Sequence, residues 1–118
     1  MTLTSETFDI IAAWIADKRG KDTLALDLRG LSVVTDYFIL TTGNSVVQIR
    51  AIADHLREKA PSLGLSLLRV EGRESARWIL MDYGDIVFHV MLEEERSFYG
   101  LERLWGDAAV IRVSGGQQ

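Results

Sequence analysis

Apolar positions in the first quarter of the chain recur first with the period of a helix and then with that of a strand. Phe8, Ile11, Ala12 and Ile15 fall at i, i+3, i+4 and i+7, which predicts an amphipathic helix over residues 4–19. Thr4 or Ser5 is placed to cap its start. Lys18 and Arg19 oppose the dipole in the last turn, and Gly20 is the expected left-handed residue beyond it. In "TLALDL", residues 23–28, Leu24, Leu26 and Leu28 alternate with Ala25 and Asp27, the pattern of a half-buried strand. A turn at Arg29–Ser32 separates it from "DYFILTT", residues 36–42, whose aromatic and β-branched residues on both faces predict a central strand.

Ser45 with Gln48 forms a capping box for a second helix, whose apolar stripe is Ile49, Ile52, Ala53 and Leu56. Arg50 and Asp54 are spaced to pair on its exposed side, and Pro61 marks its end. Residues 65–71 read as a third strand; Trp78–Asp82 and Asp85–Met91 read as a hairpin about Tyr83-Gly84. From Glu93 helical spacing returns through Phe98, Leu101 and Leu104 or Trp105, weakened at Gly100. Residues 109–118 have no place in the pattern and are expected to be a flexible tail after a single domain at 1–108. The order α-β-β-α-β-β-β-α predicts an α/β (α+β) fold with a mixed five-stranded sheet, in which the passage through residues 45–60 permits a parallel strand pair. Helices are expected on one face, leaving part of the other for a partner.

The hairpin concentrates the candidate chemistry. With a two-residue loop at Tyr83-Gly84, Asp82 faces Asp85, Ile79 faces Phe88 and Trp78 faces His89. One face then carries Ile79, Met81, Ile86, Phe88 and Val90, which suits a core. The other carries Trp78, Leu80, Asp82, Asp85, Val87 and His89, a mixture of aromatic anchor, aliphatic neighbours and polar rim that suits an interface. A three-residue loop with Gly84 in a bulge is the alternative, and it would swap the faces of one strand. Singly, Trp78 and His89 read as core residues, and Asp82 and Asp85 as turn residues. Their grouping on one face is what favours a docking surface.

Composition narrows the rest. The 118 residues are 47% apolar and 25% charged, ordinary for a compact globular chain. The absence of cysteine removes disulfide and thiol chemistry and fits a cytosolic setting. No apolar run approaches the roughly 20 residues that span a bilayer, and "MTLTSETFDI" carries no secretory or organellar address. A net charge of -4 with a pI near 5.1 disfavours direct, sequence-specific nucleic-acid binding.

Catalytic signals are weak. Asp85 and His89 lie about 13 Å apart along one strand, too far to share a metal ion. Gly43-Asn44-Ser45 lacks the glycine that a nucleophile elbow needs after its serine, and phosphate-binding glycine loops are missing. The expectation is therefore no catalytic residues, no metal and no cofactor.

The stretches "LDLRGLSVVTDYFILTTGNSVVQIRAIADHL" and "VEGRESARWILMDYGDIVFHVMLEEERSFYGLERLWGDA" closely resemble the ribosomal silencing factor family, also called the Iojap or RsfS family. The likeness runs from about Phe8 to Ala108. It is carried by Asp36, Thr42-Gly43, Ala53-Asp54, Glu71-Gly72, Trp78, Asp82-Tyr83-Gly84-Asp85, His89-Val90 and Leu104-Trp105. The resemblance implies a nucleotidyltransferase-like fold and a binding protein that is not an enzyme. It implies docking on the large ribosomal subunit through the ribosomal protein numbered fourteen, on the intersubunit face. Joining of the small subunit would be blocked and translation repressed under nutrient limitation, in the cytoplasm. The family's partner-facing tryptophan falls on Trp78, with Leu80 and Asp82 beside it. Tyr83, Asp85 and His89 complete the hairpin set, and the family's C-terminal segment adds Glu94, Arg96 and Tyr99. Arg77 stands where relatives often carry a small or acidic residue. The free protein is left either monomeric or paired as a homodimer through the same face. The alternative function is a nucleotidyltransferase-like enzyme, for which the aspartate pair that would hold magnesium is not visible.

Overall fold

The computed structural model describes residues 4–33, 35–99 and 109–112, with side chains through Arg96. Helix α1 spans Ser5–Asp17, and Thr4 caps it by accepting a hydrogen bond from the Thr7 N–H. Phe8, Ile11, Ala12 and Ile15 are all buried, as their spacing predicts. The left-handed residue after the helix is Arg19, at φ 64, and not Gly20. Gly20 instead sits where a Cβ would collide with Ile15 Cγ2 and lie 2.8 Å from Thr41 Oγ1. Close packing, rather than backbone handedness, is what requires glycine there.

Strand β1, Lys21–Asp27, begins two residues earlier than expected, with an irregularity between Lys21 and Leu24. Strand β2 is Tyr37–Gly43. Helix α2, Val46–Lys59, is capped by Ser45, whose hydroxyl accepts from the Gln48 N–H, and it buries Ile49, Ile52, Ala53 and Leu56. Gln48 reaches back to the Asn44 N–H, one residue before the cap, and donates to the carbonyls of Lys18 and Arg19. The expected Arg50–Asp54 pair does not form. Asp54 pairs with Arg73 at 2.7 Å, and Arg50 donates to the carbonyls of Arg73 and Glu74. Bonds to the fixed loop across from α2 thus displace a weak local pair.

Pro61 lies in a 3-10 turn, Ala60–Leu63, closed by Gly64 at φ 77. Strand β3 is short, Arg69–Glu71, followed by β4, Trp78–Asp82, and β5, Ile86–Leu92. Helix α3 is Glu93–Tyr99; Leu101, Leu104 and Trp105 lie outside the described residues, as does the side chain of Phe98.

The sheet has the order β3-β4-β5-β2-β1-β6, where β6 is Ala109–Arg112. The five expected strands are present, and β6 is a sixth that pairs antiparallel with β1. Those four residues are strand, which corrects their assignment to a flexible tail; the segment finds its partner more than 80 positions away. The pair β2–β5 is parallel and every other pair antiparallel, with β2 and β5 central. Helices α1 and α2 cover one face: Ile11, Ile15, Ile49, Ile52 and Leu56 pack with Ala25, Ile39, Ile79, Met81 and Phe88 in one core.

Candidate functional site

The hairpin β4–β5 carries most of the site. Asp82 pairs with Val87, Leu80 with His89 and Trp78 with Met91, two residues beyond the expected register. Because the slip is an even number, every strand residue keeps its face. The bend turns on Gly84, at φ 87, which lets the Asp85 N–H return to the Tyr83 carbonyl at 3.2 Å. The Asp82 carboxylate accepts from the Gly84 N–H at 2.8 Å, so one of its oxygens is spent on the turn.

On the face opposite α1 and α2, a second apolar cluster of Leu26, Leu28, Leu40 and Met91 has Phe38 and Trp78 packed against it. Trp78, Leu80 and Asp82 are partly exposed there. The indole Nε1–H of Trp78 donates to Nδ1 of His89 at 3.0 Å, and Phe38 meets the same imidazole edge-on at 4.5 Å. His89 is only 3% exposed, and burial pushes its pKa down to about 4, so the ring is neutral at physiological pH. With Nδ1 accepting, the proton resides on Nε2, which has no hydrogen-bond partner among the described residues.

Beyond His89 toward the turn lies a groove of about 280 Å³. Phe38, Leu80 and Val87 supply its apolar lining, and Ser32, Thr35, Arg69 and Asp82 its polar lining. Arg69 stands between Glu71 at 3.1 Å and Asp82 at 3.6 Å, leaving one negative charge in excess.

The other expected site residues divide. Tyr83 belongs to the core on the helix-covered face, 7% exposed and edge-on to Phe88 at 5.6 Å, so it leaves the docking set. Its place follows from period two, since Ile79, Met81 and Tyr83 are in phase. Asp85 is in the bend rather than on the strand face, where its carbonyl accepts from the N–H groups of Asp36 and Tyr37 and anchors the start of β2. His89 supports Trp78 from beneath instead of presenting a surface. Glu94 is exposed and, with Glu95, meets Arg77. Arg96 is occupied internally, donating to the Asp22 carbonyl at 2.6 Å and to Thr42 Oγ1 at 2.9 Å. Tyr99 ends α3, and its side chain lies outside the described residues.

Sequence reasoning missed Phe38 and Arg69, which join Leu80, Asp82 and Val87 in a single concavity. Alternation along β2 puts Phe38 on the Trp78 face only once β2 is known to lie beside β5. Ser45, considered as a nucleophile, serves as the α2 cap. Among the described residues no three His, Asp or Glu side chains converge as metal ligands. No described helix is long and apolar enough to cross a membrane.

Residues 2–118 match the family model described as "Ribosomal silencing factor during starvation". A relative named ribosomal silencing factor RsfS, from Bacillus subtilis, is 47% identical over 107 residues, which is 91% of each chain. The fold is similar to a solved structure from Chromobacterium violaceum, with TM-score 0.81 and 32% identity over 98% of this chain and 95% of that one. It is also similar to one from Bacillus halodurans, with TM-score 0.79 and 36% identity over 93% and 100%. The chain belongs to the ribosomal silencing factor (RsfS) family, with a role in ribosome-associated regulation of translation.

Proposed function

We propose that the protein docks on the large ribosomal subunit with the sheet face opposite α1 and α2, using Trp78 as anchor and Leu80 and Asp82 as its neighbours. The observation that carries this reading is the partly exposed indole of Trp78, held in one orientation by buried His89 on a helix-free part of the sheet. An aromatic anchor fixed before binding loses little side-chain entropy on docking. The excess carboxylate charge at Glu71 and Asp82 suits a basic protein and repels RNA, in keeping with the net charge of -4. A basic ribosomal protein is therefore the direct partner, and the one numbered fourteen is the candidate that the family resemblance implies. Occupying the intersubunit face there, the protein keeps the small subunit from joining and lowers translation in the cytoplasm when nutrients are short.

The test is a subunit-joining assay. Purified large subunits, preincubated with the protein, are mixed with small subunits and separated by sedimentation. A dose-dependent loss of the joined particle is expected, with the protein travelling with the large subunit. An unchanged joined peak at saturating protein would overturn the proposal.

A further inference from the structure

The docking strip on β4 is small for an interface. Trp78, Leu80 and Asp82 share one strand of five residues, a strip about 17 Å long and about 10 Å wide, on the order of 200 Å². A stable, specific interface covers about 800 Å² on each partner. The docked partner therefore reaches beyond β4.

At the Asp82 end of the strip stands the loop between β1 and β2, residues 28–36. Its Ser32 and Thr35 line the groove together with Asp82 and Val87. Leu31 and Val33 flank Ser32 in the chain, so each backbone position lies one Cα step, about 3.8 Å, from a residue of the groove wall. Leu31 is 45% exposed and Val33 is fully exposed. The loop that carries them is braced. The Leu28 N–H donates to the Asp36 carbonyl across its neck at 2.8 Å, the Leu31 N–H donates to the Leu28 carbonyl at 2.9 Å, and the Asp36 N–H reaches the Asp85 carbonyl in the hairpin bend at 3.2 Å. An aliphatic side chain held in water on such a loop adds nothing to the core, and little ordering is left to lose when a partner covers it.

We infer that Leu31 and Val33 form a second, apolar contact of the docking face, and that the basic protein anchored at Trp78 reaches across the groove to cover them with aliphatic or aromatic side chains of its own. The contact lies about 13 Å or more from the indole, the length of β4 between Trp78 and Asp82, so two apolar points fix the partner's orientation where one would leave it free to turn. The charge between the two points selects the occupant. Asp82 and Glu71 outnumber the guanidinium of Arg69, which attracts a basic protein and repels both RNA and anionic lipid. A second copy docked face to face would set the same carboxylates against each other.

The inference rests on the docking reading, and the test separates the two. Leu31→Ser combined with Val33→Ser is expected to weaken binding of large subunits about tenfold, the scale of two partly covered aliphatic side chains. The unfolding midpoint should stay unchanged, and the loss should persist at raised salt, because apolar burial is not screened. Val47→Ser, 73% exposed in the first turn of α2, serves as the control and should bind like the parent. If the double variant binds within twofold of the parent while Trp78→Ala loses binding, the loop is not a contact and docking stands. If neither matters, both fall. An equal loss in Val47→Ser overturns the assignment, as does a double variant that changes only the self-association of the free protein. Should the double variant not fold, Val33→Ser alone decides by the same criteria, with a loss of about threefold expected.

Discussion

The Trp78 indole N–H and the His89 Nδ1 are joined at 3.0 Å across diagonal positions of the β4–β5 hairpin, so a partly exposed anchor is tied to a buried base. The bond exists only while the imidazole is neutral. Burial lowers the His89 pKa from 6.5 to about 4, so as pH falls the unfolded chain takes up this proton first. The stability that His89 contributes is complete above about pH 6.5 and is lost as the pH drops toward 4, about 3 kcal/mol across the window. Urea unfolding at pH 7, 5.5 and 4.5 is expected to show this decline. His89→Asn should flatten the part that belongs to this ring.

Gly20→Ala should destabilise the protein by about 1–3 kcal/mol through overpacking alone. The added methyl meets Ile15 Cγ2 and Thr41 Oγ1, and Thr41 is held by the Thr23 hydroxyl at 3.0 Å and the Lys21 carbonyl at 3.2 Å. A lowered thermal midpoint is expected, with the binding of large subunits retained in the folded fraction.

Gly84 and Gly72 both have positive φ, at 87 and 83, but their surroundings differ. At Gly84 a Cβ would have only Leu68 Cδ1 nearby, at 3.7 Å, so Gly84→Ala should cost about 1–2 kcal/mol of backbone strain. At Gly72 the same atom would collide with the Trp78 carbonyl. Gly72→Ala should therefore cost more, and it should also displace the strand start that carries the indole. Denaturation midpoints combined with subunit binding separate the two: Gly84→Ala keeps its affinity, and Gly72→Ala does not.

Gln48 joins the end of α1 to the start of α2, accepting from the Asn44 N–H at 2.6 Å and donating to the Lys18 and Arg19 carbonyls at 3.0 and 2.8 Å. These bonds are exposed to solvent, so Gln48→Ala is expected to cost about 1 kcal/mol rather than three full bonds. Chemical denaturation checks the value.

What was legible in the sequence was local or periodic. The buried stripes of α1 and α2 followed from spacing, because each helix buries one face on a single core. The two faces of the hairpin also followed, since alternation is insensitive to an even slip in register. What depended on distant partners was not legible. That Gly20 is needed for close packing, against Ile15 and against Thr41 on a strand two elements away, while Arg19 takes the left-handed conformation, is not a local signal. The burial of Tyr83 was in phase with Ile79 and Met81, but its position beside Gly84 suggested a turn residue and hid it. The burial of His89, which makes it a support rather than a contact, depends on Phe38 from the parallel neighbour.

The central claim is that one partly exposed indole anchors the protein to the large subunit without being needed for the fold. Equilibrium binding of Trp78→Ala to purified large subunits, with its unfolding free energy measured in parallel, tests it directly. The expected result is a loss of at least about 2 kcal/mol in binding, roughly thirtyfold, with cooperative unfolding preserved. Undiminished affinity in a folded Trp78→Ala protein, or loss of the folded state itself, would contradict it.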